Sequence, residues 1–256
     1  MRIALKFAYD GSKFYGYARQ PNLRTVEGEL IKVLIKNGII EDTKDSYFRS
    51  ASRTDKKVSA FANVISFNTN DSIKSVLKDL SNEFEDIVVF GANNINLDFN
   101  PRHAIYRNYC YYLNIKDLDV DKIISVSSAF TGKQNFTNFS RLESFKDPVR
   151  IIDNIVFSKI KDYLLIDFYA PTFLWNQIRR IISALVKIGN GKIGRQDIVE
   201  ALCNPDKDVD YGLAPAEPLI LKDIVYDFTF ECDKEQLDKL ELLKNRILNS
   251  IGFIRQ

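Results

Sequence analysis

Ala51-Ser52-Arg53-Thr54-Asp55-Lys56-Lys57-Val58-Ser59-Ala60 sets one carboxylate between an arginine and two lysines, just ahead of an apolar strand. Nearby positive charge favours the ionised form of a carboxylate, so Asp55 is expected to titrate below the roughly 3.9 of a free aspartate. A group held ionised suits a nucleophile or an electrostatic anchor better than a general acid. Taken alone, the segment also reads as a solvated turn with a surface ion pair, which contributes little to stability. The rest of the chain has to decide between these readings.

With 256 residues, 45% of them apolar, the chain is long enough to bury a substantial core as one large domain or two packed halves. No uncharged apolar run approaches the ~18 residues of a membrane span. The amino end, Met1-Arg2-Ile3-Ala4-Leu5-Lys6, has a charge every few residues and no small-residue cleavage site, so it does not read as a secretory signal. Cys110, Cys203 and Cys232 form no CxxC pair and leave an odd thiol, as expected in a reducing compartment. A soluble cytoplasmic protein with no membrane segment is the expectation.

The formal net charge is only +2, so composition does not mark a nucleic-acid binder. Location says more. Cations cluster as Arg49, Arg53, Lys56 and Lys57, as Arg102, His103 and Arg107, and as Arg179, Arg180, Lys187, Lys192 and Arg195. Converging in the fold, they would form a phosphate-binding surface on a nearly neutral protein. Scattered, they are ordinary solvated faces.

Period-two alternation predicts a strand over residues 2–9, with Ile3, Leu5 and Phe7 on its apolar side. Residues 25–37 have helical spacing, with Thr25 as N-cap and Gly38 as C-cap. A strand at 63–68, a helix at 71–83 capped by Asp71, and strands at 87–93 and 106–115 follow. The alternation then repeats: a helix at 120–130, strands at 151–159 and 164–169, and a long helix at 174–188. A short helix at 195–203, a strand at 219–230 and a helix at 234–249 complete it. Two such halves, 1–104 and 105–256, imply an α+β fold of antiparallel sheets flanked by helices. The first half carries the Asp55 loop, the second a tyrosine strand and an arginine-bearing helix.

Familiar chemistries fit poorly. Gly189-Asn190-Gly191-Lys192-Ile193-Gly194 spells a dinucleotide fingerprint, but that motif must follow a strand and open a helix. Here the preceding residues have helical spacing, and Gly189 reads as a helix C-cap. One histidine, His103, gives no Ser-His-Asp arrangement, and no Cys or His pair has metal-ligand spacing. Asp, Arg, Lys and Tyr are the available repertoire, so the expected reaction uses no cofactor and no metal.

Four further segments combine with the Asp55 loop. Tyr9-Asp10-Gly11-Ser12-Lys13-Phe14-Tyr15-Gly16-Tyr17 follows the first strand. Arg107-Asn108-Tyr109-Cys110-Tyr111-Tyr112 has Tyr109 and Tyr111 on one side of a strand, as half-buried sheet residues or as stacking platforms for an unpaired base. Within Phe173-Leu174-Trp175-Asn176-Gln177-Ile178-Arg179-Arg180-Ile181-Ile182, a projection at ~100° per residue puts Arg179 at the edge of the apolar stripe and Arg180 well outside it. Leu213-Ala214-Pro215-Ala216-Glu217-Pro218-Leu219 is a proline-stiffened entry to a strand.

In this order and spacing, the segments resemble the tRNA pseudouridine synthase A family over nearly the whole chain. The resemblance implies two ferredoxin-like halves forming a central antiparallel sheet with a basic cleft between them, and a homodimer. It implies an isomerase that turns uridine into pseudouridine in the anticodon stem and loop of tRNA, at one or more of tRNA positions 38, 39 and 40. Asp55 matches the catalytic aspartate, which adds to the sugar or promotes a glycal; both routes remain open. Arg53 matches the arginine that enters the RNA stack, Tyr109 the tyrosine that stacks on the flipped base, and Arg179 the basic partner of the aspartate. Arg102, in a segment resembling the one before that tyrosine, is a candidate RNA contact, as are the basic Lys56, Lys57 and Arg107. The family often has Ala-Gly where this chain has Lys56-Lys57, histidine at Ser59, and a glycine near Glu217-Pro218. A non-catalytic tRNA-binding or RNA-chaperone protein is the alternative, kept open by the lysine pair.

Overall fold

Strand β1 (Arg2–Tyr9) is flanked on both edges, by β3 (Ser59–Asn68) and by β4 (Ile87–Ile95), both antiparallel to it. Side chains on both of its faces are buried, so the expected one-sided stripe is only half of its packing. Full burial of a residue such as Leu5 or Phe7 contributes about 1.5–3 kcal/mol. The chain is described here by a computed structural model covering residues 1–143 and 145–253.

Residues 1–105 and the chain from Ile220 onward form one unit, and Tyr106–Leu219 a second. This differs from a cut at 104/105, because the C-terminal segment packs with the first unit. Its strand order is β11-β4-β1-β3-β10, where β10 is Leu219–Val225 and β11 is Glu231–Cys232; β2 (Arg49–Ser50) also pairs with β3. The pairing is mostly antiparallel, and β10 runs parallel to β3 with Ile220 opposite Ser59. Helix α6 (Lys234–Ser250) buries Leu240, Leu243 and Ile247 and contacts β4, β1 and β3, which is why the carboxyl end returns to this unit. Helix α1 (Val26–Lys36) starts where Thr25 Oγ1 accepts from Gly28 N, as its sequence predicts, whereas its C-cap is Asn37, with Gly38 at φ 68° one residue beyond. Helix α2 (Ile73–Leu80) is capped by Ser72, whose side chain accepts from Ser75 N, and not by Asp71.

The second unit holds β5 (Tyr106–Asn114), β9 (Tyr163–Ala170) and β8 (Asn154–Ile160), paired antiparallel in that order. The strand expected at 151–159 is two strands. Val149–Ile152 is β7 and pairs with β6 (Gly132–Asn135), while β8 joins the larger sheet. Asp153 and Asn154, poor strand formers, stand at the break. Helices α3 (Val120–Ser127), α4 (Gln177–Gly189) and α5 (Arg195–Cys203) complete the unit, with α3 packed on α4. Helix α4 starts three residues later than its periodicity predicts. Asn176, at φ 62°, takes the left-handed conformation that asparagine tolerates, and Gln177 N closes a turn onto Leu174 O at 3.2 Å. Gly189 is the last residue of α4, Gly191, at φ 68°, reverses the chain, and Gly194 is the N-cap of α5, so the glycine-rich run joins two helices and follows no strand.

Candidate active site

In the first unit the Asp55 segment is held as a turn at the mouth of β3. Val58 N donates to Asp55 O at 3.1 Å, with Lys57 at φ 72°. Around it, Ala51 N donates to Val64 O, Asn63 Nδ2 to Ser52 O at 2.9 Å, and Tyr17 N to Thr54 O at 3.2 Å. The Thr54 hydroxyl shares a 2.8 Å hydrogen bond with the Tyr9 hydroxyl, both side chains being buried. The pairing of β1 with β3 slips by one residue between Phe7 and Tyr9, a bulge of the kind that re-aims side chains beside functional sites. Asp55 is consequently half-buried on a rigid base, while Arg53, Lys56 and Lys57 are exposed around it.

The 10–24 strap supplies the turn's other wall. Gly11 N donates to Ser59 Oγ at 2.9 Å, and a Cβ on Gly11 would lie 2.1 Å from Val58 O. Gly16, at φ 105°, passes Lys56 N so closely that a Cβ would sit 3.4 Å from it. Lys56 Nζ stands 4.3 Å from the centroid of the half-exposed Tyr15 ring, a cation–π contact. Nothing in the sequence motifs marks a role for Tyr9, Gly11, Thr54 or Ser59. Their role depends on contacts across 45 or more residues that no local pattern carries.

In the second unit Tyr109 lies opposite Phe168 in the β5–β9 ladder and is 9% exposed. Its ring meets Phe173 edge-on, with centroids 5.4 Å apart and planes at 85°. Tyr111, on the same side of β5, is more deeply buried, and its hydroxyl donates to Pro215 O at 3.2 Å. Burial pushes this phenol well above its usual range; Arg179 opposes that shift and Glu217 adds to it. Tyr111 is thus a structural tyrosine.

Arg179 Nε donates to Ala214 O at 2.8 Å and Ala214 N to Arg179 O at 3.2 Å, tying the 213–216 segment along α4. Arg180, expected well outside the helix's packed face, is also partly buried. It bonds Asp210 at 2.9 Å, while Ser183 Oγ donates to Tyr211 O at 2.7 Å. The Gly212 amide, and then Arg180, hold the Asp210 carboxyl below the usual carboxylate range. Arg102 is exposed beside His103 in the first unit. Arg107 is not grouped with them at the surface. It is buried in the second unit and donates to Pro171 O, because its position in β5 points into the packed strand pair.

Among the described residues no group of three His, Cys, Asp or Glu side chains could hold a metal ion, and no helix is long and apolar enough to cross a membrane.

The class is that of the pseudouridine synthases: a family model described as tRNA pseudouridine synthase matches residues 126–227, a stretch that includes Arg179. Full-length relatives extend the likeness to the Asp55 loop. A protein named tRNA pseudouridine synthase A from Thermococcus sibiricus is 45% identical over 244 residues, covering 94% of this chain and 91% of its own length. Proteins of the same name from Pyrococcus abyssi and Methanosphaera stadtmanae are 42% and 37% identical, covering 89% and 96% of this chain and 85% and 93% of their own lengths. The chain belongs to the tRNA pseudouridine synthase A family.

Proposed function

We propose that the protein is an isomerase that converts uridine to pseudouridine in tRNA, acting on one or more of positions 38, 39 and 40 of the anticodon arm. The observation that carries this is kinship over nearly the full length of proteins with that name, joined to a half-buried aspartate on a turn braced from two sides. The reaction balances within the nucleotide. The bond from N1 to the ribose breaks, the bond from C5 forms, C5 loses a proton and N1 gains one, so no oxidant or group donor is required.

Asp55 is the catalytic residue in this reading, its ionised carboxylate starting the detachment of uracil. Extracting the nucleotide costs a few kcal/mol of lost stacking. Arg53, exposed on the same turn, fills the vacated stack, and Tyr109 stacks on the freed base. Arg179 is the basic residue of the set, while Lys56, Lys57 and Arg102 attract RNA phosphates. The protein works as a homodimer in the cytoplasm.

Purified protein incubated with unmodified tRNA transcript, followed by nucleotide-resolution mapping of pseudouridine, tests the substrate and its positions. Asp55→Asn is expected to abolish conversion and to leave tRNA binding within about threefold of wild type, since charge attraction to phosphates is carried elsewhere. Turnover by that variant would remove Asp55 from the mechanism. Binding by wild type with no pseudouridine formed would favour the RNA-chaperone alternative.

A further inference from the structure

We propose that Arg246, acting with Arg24 on the buried carboxylates of Asp10 and Asp86, is a positioning residue for the Asp55 turn, so that the C-terminal helix sets the catalytic geometry. The inference rests on the reading of Asp55 as the catalytic carboxylate. Asp10 and Asp86 have side chains only 4% and 5% exposed, and the backbone joins them through Asp10 N and Asp86 O at 3.1 Å. Two carboxylates so placed, without cations, would repel each other in a medium that screens poorly. Each Asp86 oxygen has its own arginine: Arg24 Nη1 lies 3.0 Å from Oδ2, and Arg246 Nη2 lies 3.1 Å from Oδ1. Arg246 Nε also stands 3.7 Å from Asp10 Oδ2.

From Asp10 the constraint passes directly to the turn. The other oxygen of Asp10 accepts from Ser12 N at 3.0 Å and Ser12 Oγ at 2.6 Å, shaping the short 3-10 turn Gly11–Lys13. That turn puts Gly11 against Val58 O and Ser59 Oγ. Arg24 closes the far end of the strap: Tyr15 N donates to Arg24 O at 2.9 Å, and the guanidinium lies 4.6 Å from the Phe14 centroid. Between these two anchors run Gly16, in contact with Lys56, and Tyr17, bonded to Thr54. Arg246 is therefore separated from Asp55 by 191 positions in sequence but by only two layers of contact within one unit. Neither arginine touches the turn itself.

The test compares Arg246→Met, which keeps the stem and removes the charge, with Arg246→Lys. Kinetics are measured well below each variant's unfolding temperature, and hydrogen exchange is followed in peptides covering 10–24 and 51–60. Because small displacements of a reacting group are costly, Arg246→Met is expected to lower kcat about tenfold with KM and tRNA affinity changed less than about twofold. Exchange in both peptides is expected to accelerate, and Arg246→Lys to recover most of kcat. A merely structural arginine would lower the unfolding temperature and leave kcat of the folded enzyme and the 51–60 peptide as in wild type. That result, or failure of lysine to rescue, overturns the proposal. Should Arg246→Met fail to fold, Asp10→Asn removes the charge of the shared carboxylate while keeping an acceptor for Ser12, and the same outcomes apply. Asp55→Ala, run alongside, is expected to be inactive. If it turns over, the catalytic reading fails independently of what Arg246 does.

Discussion

Lys57 holds a left-handed backbone, φ 72°, two residues before β3 begins at Ser59. For an L-residue with a Cβ that conformation costs about 1–2 kcal/mol, whereas glycine pays about 0.5–1 kcal/mol in unfolded-state entropy. Lys57→Gly is therefore expected to stabilise the protein by about 0.5–1 kcal/mol, read as a higher urea midpoint at unchanged m-value. If the ammonium contacts phosphate, the same variant lowers the salt slope of tRNA binding by about one. A glycine at this position would hold the conformation without strain, whereas lysine trades stability for charge. Gly11 allows no such trade. A methyl group there meets Val58 O, so Gly11→Ala is expected to cost about 1–3 kcal/mol and to depress kcat by displacing the Asp55 turn, checked by unfolding and single-turnover assays.

Tyr111 makes the pH argument at the same scale. Its folded-state pKa is raised, first by burial, so the folded protein keeps the proton that an unfolded chain releases near a pKa of about 10. The resulting stability is fully present below about pH 10 and is lost as pH rises beyond it. Ultraviolet difference titration should show this phenol silent until the protein unfolds, and Tyr111→Phe should remove part of the alkaline instability.

Among the elements, helix starts show how closely local chemistry can be read. Thr25 caps α1 as its spacing predicts, whereas α2 is capped by Ser72 although Asp71 is an equally good residue type one position earlier. Nothing in the local pattern separates two adjacent capping residues; the register of Ile73, Val76 and Leu80 against β4 does. Ser72→Ala is accordingly expected to cost about 1 kcal/mol in urea unfolding and Asp71→Ala much less. The division of 151–159 between β7 and β8 has a similar origin. A continuous β-rich stretch serves two sheets because Asp153 interrupts it between Ile152 and Asn154.

At the scale of the whole molecule, the carboxyl end belongs with the amino end. Helix α6 covers β4 with Leu240, Leu243 and Ile247 and carries Arg246, so one element contributes both to the core of the first unit and to the bracing of Asp55. Removing residues 234–256 would uncover that apolar face and both buried carboxylates. The shortened chain is expected to bind a hydrophobic dye and to lose cooperative unfolding of the first unit, and its tRNA conversion should fall below detection.

Sequence alone determined the α+β class and most element positions, because hydrophobic period and capping chemistry are local, while the candidate set of Asp55, Arg53, Tyr109 and Arg179 came from the resemblance of its short motifs to a family. It also exposed Lys56-Lys57 as a departure from the family's habit. Only the tertiary structure decided that Lys57 occupies a left-handed turn and that Arg107 is buried. The tertiary structure likewise returned residues 220–253 to the first unit and brought Arg24, Asp10, Asp86 and Arg246 into one cluster. The physical reason is range. A side chain's partner across 160 residues, as for Arg246 and Asp86, is selected by the packing of whole elements, and no periodicity in the chain records it.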